Sequence, residues 1–266
     1  MKFKLDHDYH IHTYLSPCAG DMRQTPQAVL EKAKHRGYSS LCLTDHYWDA
    51  SIPITSCCLP DYDWISQALP LPQDKGVKYL FGCEADMGWN FEIGIPQNKL
   101  NDFDFILIPT THMHMMDFTV KEEQVSTNEK RAKLWVNRLE ALFNQSLPFY
   151  KIGIPHLACT LINPKSREDY LETLDMIPSE DMYRLFEKAT RLGVGIELNY
   201  ADFLFSDDET DRILRMFRIA KECGCKFFYG SDEHRYNSRE DELEVMGRAI
   251  DLLELKESDK FFIVEK

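Results

Sequence analysis

The sequence lacks three features that would place it in common classes of protein. No apolar run approaches the roughly 20 residues that a membrane-spanning helix requires. No apolar segment follows the basic residues at the N-terminus, so it does not resemble a secretory signal peptide. No Cys-x-x-Cys pair occurs among the eight cysteines, which excludes the usual paired zinc signature. We therefore expect a cytoplasmic protein without a membrane partner, whose cysteines are mostly small buried side chains.

Positive charge is also scarce. The chain has 31 lysines and arginines against 44 aspartates and glutamates, a formal net charge of -13. An acidic surface repels the phosphates of a nucleic-acid backbone, so a long nucleic acid is a poor partner. A small anionic substrate is not excluded, because bound divalent cations would concentrate positive charge at one place.

The chain alternates between predicted strands and predicted helices over all 266 residues. It shows no composition break, linker or internal repeat, so we predict a single domain over 1–266. Strands are predicted at 4–11, 39–44, 77–81, 103–109, 150–154, 194–196 and 226–229, with either a last edge strand or a packed tail at 261–264. The clearest amphipathic helix is predicted at 128–145 and the last long helix at 239–255. This alternation predicts a parallel sheet flanked by helices.

Each predicted strand is followed by polar side chains that can bind metals. These are His10, His12, His46, Glu84, His112, His114, His156, Glu197, Asp232 and His234. In an open sheet only the strand ends at a switch point would meet, whereas in a barrel all of them converge on one mouth. Seven strands with such endings therefore favour a closed, TIM-like α/β barrel.

The motif Tyr9-His10-Ile11-His12 carries the first pair of imidazoles. Two histidines two residues apart in a strand point to the same face, which suits a metal, although chance could also place them there. Seven of the nine histidines lie at predicted strand ends. The exceptions are His7, which has no predicted role, and His35 at the end of a helix, where a cation favours the dipole.

Taken singly, each of these residues has an ordinary structural explanation, such as a core histidine or a turn-capping aspartate. Together they would be costly to bury without a metal. Imidazoles and carboxylates suit zinc, iron or manganese, and their number exceeds the four ligands of one zinc ion. We therefore expect two or three divalent cations bridged by Glu84. A single-metal or redox iron site stays open on ligand type alone.

Six short motifs follow one another along the chain. They are His10-Ile11-His12, Thr44-Asp45-His46, Glu84, His112, Pro155-His156 and Gly230-Ser231-Asp232-Glu233-His234. In this order they resemble the PHP family, the polymerase and histidinol phosphatase domains. The resemblance implies a distorted (β/α)7 barrel with a trinuclear metal centre that hydrolyses phosphate esters.

The resemblance also implies a set of ligands for each metal. One metal would take His10, His12, Glu84 and Asp232, the second Glu84, His112 and His156, and the third His46 and His234. Many family members supply a further histidine from the loop after the first strand, and Cys18 stands at that place here. Cys18 is either a thiolate ligand or a bystander. His112 is preferred over His114, and Glu197 would orient a ligand histidine.

The function we expect is hydrolysis of a small phosphate monoester, histidinol-phosphatase-like, by hydroxide generated at the metals. Asp232, Glu84 and His234 would be the catalytic residues, and Arg23 and Arg235 would bind phosphate. One alternative is a nucleotide phosphodiesterase or exonuclease on the same metals. Less favoured are a C–N hydrolase, since no lysine follows a strand as such enzymes require, and a non-enzymatic relative. Specificity is expected from the loops at 49–72, 115–127 and 201–208.

Overall fold

The computed structural model describes residues 1–53, 59–236 and 241–263, and its parallel strands form one nearly closed barrel. The seven principal strands lie in the sheet in the order in which they occur along the chain. The principal strands are β1 (His7–Ile11), β2 (Ser40–Leu43), β4 (Lys78–Ala85), β5 (Phe105–Leu107), β6 (Ile152–Ile154), β7 (Gly195–Asn199) and β8 (Lys226–Gly230). A short additional strand, β3 (His46–Tyr47), pairs with β4. The prediction of a distorted (β/α)7 barrel is confirmed.

Side chains complete the seam where β1 meets β8. The backbone N–H of Tyr229 donates to Nε2 of His7 over 2.9 Å, and that of Ser231 donates to Oδ1 of Asp8 over 3.0 Å. Beyond the strands, the N–H of Asp232 donates to the carbonyl of His10 over 2.7 Å. His7, which had no predicted role, therefore holds the barrel closed.

Helices pack against the outside of the sheet. The first, α1 (Pro26–Arg36), begins at the cap Thr25 and ends at Gly37, which adopts a left-handed φ of 73° that favours glycine. It is followed by α2 (Tyr62–Ile65), α3 (Glu122–Val125), α4 (Asn128–Phe143), α5 (Arg167–Met176), α6 (Ser179–Leu192), α7 (Thr210–Glu222) and α8 (Glu242–Leu252). In the described residues, no helix has the length and apolarity that a membrane span would need.

Three predictions about the elements need correction. The predicted strand 77–81 extends to Ala85, so that Glu84 lies within β4 rather than after it. Gly82 lies in this extension because a Cβ there would come within 2.5 Å of the Phe105 carbonyl oxygen. The strand β3 was not predicted. Residues 261–263 form no strand; position 264 lies outside the described residues, as do 54–58 of the 49–72 loop and 239–240 of the last predicted helix.

Candidate metal centre

The carboxyl ends of the strands bring the predicted ligands into one pocket. Within each of four groups, the possible ligand atoms lie within 4.8 Å of one another. The groups are His10, His12 and Glu84; Glu84, His112 and His156; His10, His156 and Asp232; and His12, His46 and His234. Glu84 therefore lies between imidazoles from several strands.

Hydrogen bonds fix the orientation of the imidazoles of His10 and His12. Nδ1 of His10 lies 2.7 Å from Oε1 of Glu197, to which it donates. Nδ1 of His12 donates over 2.9 Å to the hydroxyl of Ser16, because that hydroxyl itself donates to the carboxylate of Asp45. Both Nε2 atoms then point into the cluster and lie only 3.0 Å apart. At that separation the two nitrogens share a proton, and a divalent cation bound by them would replace that proton.

The imidazoles after β5 and β6 are held in the same way. The hydroxyl of Thr111 donates to the carbonyl of His156 over 3.0 Å and accepts from Nδ1 of the same residue over 2.8 Å. Nδ1 of His112 donates to Oδ1 of Asp86 over 2.7 Å. The Nε2 atoms of His156 and His112 lie 2.9 Å and 3.9 Å from Oε1 of Glu84. Both Nε2 atoms thus face the carboxylate, an arrangement that a shared cation stabilises.

The carboxylates at the centre are ionised. Burial raises the pKa of Glu84, but the charges of His46 and His10 outweigh burial and hold it well below its usual value. Burial acts likewise on Asp232, whose pKa is lowered by His10, His12 and His234.

Two buried atoms of the cluster lack partners. Nδ1 of His46 and Oδ2 of Asp86 have no hydrogen-bond partner among the described residues, although Nδ1 of His46 is 2.9 Å from Oε2 of Glu84. A site with inward-facing imidazole nitrogens, ionised carboxylates and unpartnered buried atoms fits divalent cations.

Cys18 lies beside the third group of ligands. The imidazoles of His12 and His234 stack with their ring centroids 4.1 Å apart, and Nδ1 of His234 donates to the carbonyl of Asp232 over 2.9 Å. Burial raises the pKa of the Cys18 thiol, but its hydrogen bonds with His234 and His46 lower it to about 7. Cys18 is thus within hydrogen-bonding reach of His46 and His234, although it belongs to none of the four groups that the described residues form.

The arginines and His114 lie at the edge of the cluster. Arg23 and Arg235 line a cavity of about 820 Å³ together with Cys18 and His234. The Arg23 guanidinium is already paired with Asp21, with its two nitrogens each 2.9 Å from a carboxylate oxygen. His114 belongs to none of the four groups that the described residues form, and its ring meets that of His112 edge-on.

Several supporting residues were missed by the sequence analysis. Asp86 is fully buried and orients His112, while Ser16 and Thr111 orient His12 and His156. One signal could have revealed Asp86, since it lies two residues beyond Glu84 and therefore on the same face of an extended chain. Glu197, expected to orient a histidine, binds His10 and also accepts from the N–H of His156 over 2.5 Å.

Comparison with known proteins places the chain in a family. A model of the PHP domain matches residues 8–183, and the chain belongs to this family. A probable phosphatase from Caldicellulosiruptor saccharolyticus is 20% identical over 231 residues, which cover 86% of this chain and 80% of the relative.

Among solved structures, the fold is similar to that of histidinol phosphate phosphatase from Lactococcus lactis, complexed with zinc, L-histidinol and phosphate. The TM-score is 0.65 at 16% identity, and the match covers 94% of both chains. At this identity the similarity establishes the fold. Glu197, Asp232 and His234 lie beyond the segment that the family model matches, and only the structure places them at the site.

Proposed function

We propose that this protein is a metal-dependent phosphoesterase that hydrolyses a small phosphate monoester. The observation that carries the proposal is the convergence of imidazole nitrogens on the ionised carboxylate of Glu84. Membership of the PHP family supports it, as does the relative named as a probable phosphatase. The similar solved structure holds zinc together with L-histidinol and phosphate, which also favours this chemistry.

The residues that would hold two or three zinc, iron or manganese ions lie at the carboxyl ends of several strands of the barrel. They are His10, His12, Cys18, His46, Glu84, His112, His156, Asp232 and His234. Bound cations would supply hydroxide at neutral pH and neutralise charge on the phosphoryl oxygens.

The other roles belong to side chains of this chain. Asp232 is ionised and faces the cluster, so it is placed to accept a proton rather than to donate one. With two metals bound, His234 beside it is the proposed partner for proton transfer to the leaving group, whereas with a third metal bound His234 would be a ligand instead. Arg235 would bind phosphate oxygens at the rim of the cavity, and Arg23 would do so by exchanging Asp21 for the substrate.

A second cavity makes room for the rest of a small substrate. It has a volume of about 810 Å³ and is lined by Tyr14, Trp48 and Trp64, and Gly20 lines both cavities. This size matches pockets that take small organic ligands. Because aromatic walls also stack nucleobases, the same observation favours a second candidate function, a phosphodiesterase acting on short nucleotides.

The test combines metal analysis with two model substrates. Protein purified without chelator should contain about two or three metal ions per chain and hydrolyse p-nitrophenyl phosphate faster than bis-p-nitrophenyl phosphate. The reverse preference would favour the phosphodiesterase. His10→Ala and Glu84→Gln should each lower kcat by roughly 1,000-fold or more, since each removes a ligand of the cluster. The matched control is His35→Ala, an exposed histidine of α1, which should leave turnover unchanged. Full activity in the Glu84 variant would refute the assignment.

A further inference from the structure

In the segment after β8, the middle one of three consecutive side chains points away from the other two. Asp232 and His234 face the proposed metal ligands, whereas Glu233 faces α1. Asp232 has a φ of 51°, in the left-handed region that side chains other than glycine seldom adopt. Two backbone hydrogen bonds tie the segment to β1, since Asp232 donates to His10 over 2.7 Å and Glu233 accepts from His12 over 3.0 Å.

The side chain of Glu233 is buried against a lysine from α1. Its exposed fraction is 2%, and Nζ of Lys32 donates to its Oε2. The other oxygen, Oε1, is buried without a hydrogen-bond partner in the part of the chain that the structure describes. A buried carboxylate that loses its counter-charge is strongly disfavoured, so Glu233 depends on Lys32 to stay where it is.

We propose that Lys32 is a positioning residue for the metal centre: its ion pair with Glu233 keeps Asp232 and His234 turned into the ligand cluster. The inference rests on the proposed metal-dependent function. Glu233 also lines the cavity that Cys18 and His234 line. Without Lys32, the carboxylate of Glu233 would turn toward that cavity. The neighbouring side chains of Asp232 and His234 would then turn away from the ligand cluster.

The same helix offers a matched control. Arg36, one turn after Lys32, pairs with the buried Glu242 at the start of α8, with contacts of 2.5 Å and 2.9 Å. Glu242 adjoins no proposed ligand in the sequence. Loss of either ion pair should lower stability, but only loss of the Lys32 pair should change how the metals are held.

The experiment measures cobalt binding, which does not depend on turnover. Wild type, Lys32→Met, Lys32→Arg, Arg36→Met and the double variant Lys32→Met with Glu233→Gln are loaded with cobalt(II) chloride and titrated with a chelator. Lys32→Met should lose cobalt at a roughly tenfold lower chelator concentration, with an altered visible spectrum, as expected when a group that orients ligands is lost. Lys32→Arg and the double variant should behave like the wild type. Arg36→Met should unfold at a lower temperature yet keep its cobalt.

Several results would overturn the positioning role. It is wrong if Lys32→Met retains cobalt like the wild type, or if Arg36→Met loses cobalt as readily. If circular dichroism shows that Lys32→Met does not fold, Lys32→Gln replaces it in the same comparison. A wild type that binds cobalt but hydrolyses no phosphate ester would refute the proposed function and leave the Lys32 comparison valid. A wild type that binds no cobalt refutes both.

Discussion

At the scale of single residues, the site depends on what binds the far nitrogen of each imidazole. Glu197, Ser16, Asp86 and Thr111 each accept from an Nδ1, so the Nε2 atoms are left free to bind metal. Such partners fix the tautomer and the ring orientation of a ligand histidine. Loss of one of them should therefore weaken metal binding even though no ligand is removed.

Cys18 gives a pH-dependent prediction at this scale. Because its pKa is lowered to about 7 in metal-free protein, the thiolate already forms near neutrality, where an ordinary thiol is still protonated. After treatment with chelator, alkylation of Cys18 by iodoacetamide should accelerate as pH rises through a midpoint of about 7, and should level off only well above that pH. Added zinc should protect the thiol.

Peptide mapping by mass spectrometry identifies which cysteine is modified, and Cys18→Ser should remove the fast reaction. Cys223 is the internal comparison, since burial raises the pKa of its thiol and it should react slowly. Alkylation of Cys18 that zinc does not slow would argue against a ligand role.

The sequence indicated the residues of the cluster better than their hydrogen-bond partners. His10 and His12 share a face because strand side chains alternate, and this periodicity can be read without coordinates. The pairing of Lys32 with Glu233 joins α1 to the end of β8, and no local pattern reveals such a contact. The roles of Ser16 and Thr111 could not be predicted for another reason. Serine and threonine are common in loops, where their hydroxyls usually bind the nearby backbone.

At the scale of elements, α4 anchors the loops that carry part of the site. Its fully buried Arg138 donates to three carbonyls, those of Thr119, Met87 and Pro109, over 2.7, 2.9 and 3.4 Å. Met87 directly follows Asp86, so this arginine fixes the loop after β4. The helix was predicted from its apolar face, and its buried arginines are visible only in the structure.

Arg138→Met should therefore destabilise the protein. It leaves three carbonyls without their donor, and we expect the free energy of unfolding to fall by roughly 3 kcal/mol or more. Urea denaturation followed by circular dichroism measures this. Arg184→Met, which removes half-exposed surface ion pairs with Glu140 and Asp181, should change it by less than about 1 kcal/mol. Equal effects of the two substitutions would contradict the anchoring role.

The error at β4 has a physical cause. Gly82 weakens the strand signal, because glycine lacks a side chain to pack and is depleted in strands. The structure needs glycine at this position for the close approach of Phe105, so the strand continues to Ala85. The two-residue β3 is shorter than any pattern that periodicity can detect.

At the scale of the whole molecule, the βα alternation predicted the parallel sheet, and the polar endings of seven strands distinguished a barrel from an open sheet. Parallel strands in chain order follow from the alternation of elements, and the convergence of ligands follows from closure. The seam between β1 and β8 was not predictable, because its side-chain hydrogen bonds connect residues more than 200 positions apart.

Removal of metal should lower the stability of the entire protein. A cation that binds only the folded state, at a free concentration of 100 times its Kd, adds about 2.7 kcal/mol to the free energy of unfolding. For a chain of about this size, chelation should therefore lower the Tm by roughly 5–10 °C. Differential scanning calorimetry with and without chelator measures the shift, and added metal should reverse it. Glu84→Ala should show little shift, and a wild type that is equally insensitive would contradict the metal centre.

The seam also constrains how the protein is made. β1 leaves the ribosome before β8, which begins at Lys226, so a growing chain presents His10 and His12 long before Asp232 and His234 exist. Until the segment after β8 has emerged, these two imidazoles could bind ions only in incomplete geometry. The proposed metal centre can therefore be completed only after Asp232 and His234 have been made, and a product truncated before β8 would carry His10 and His12 without them.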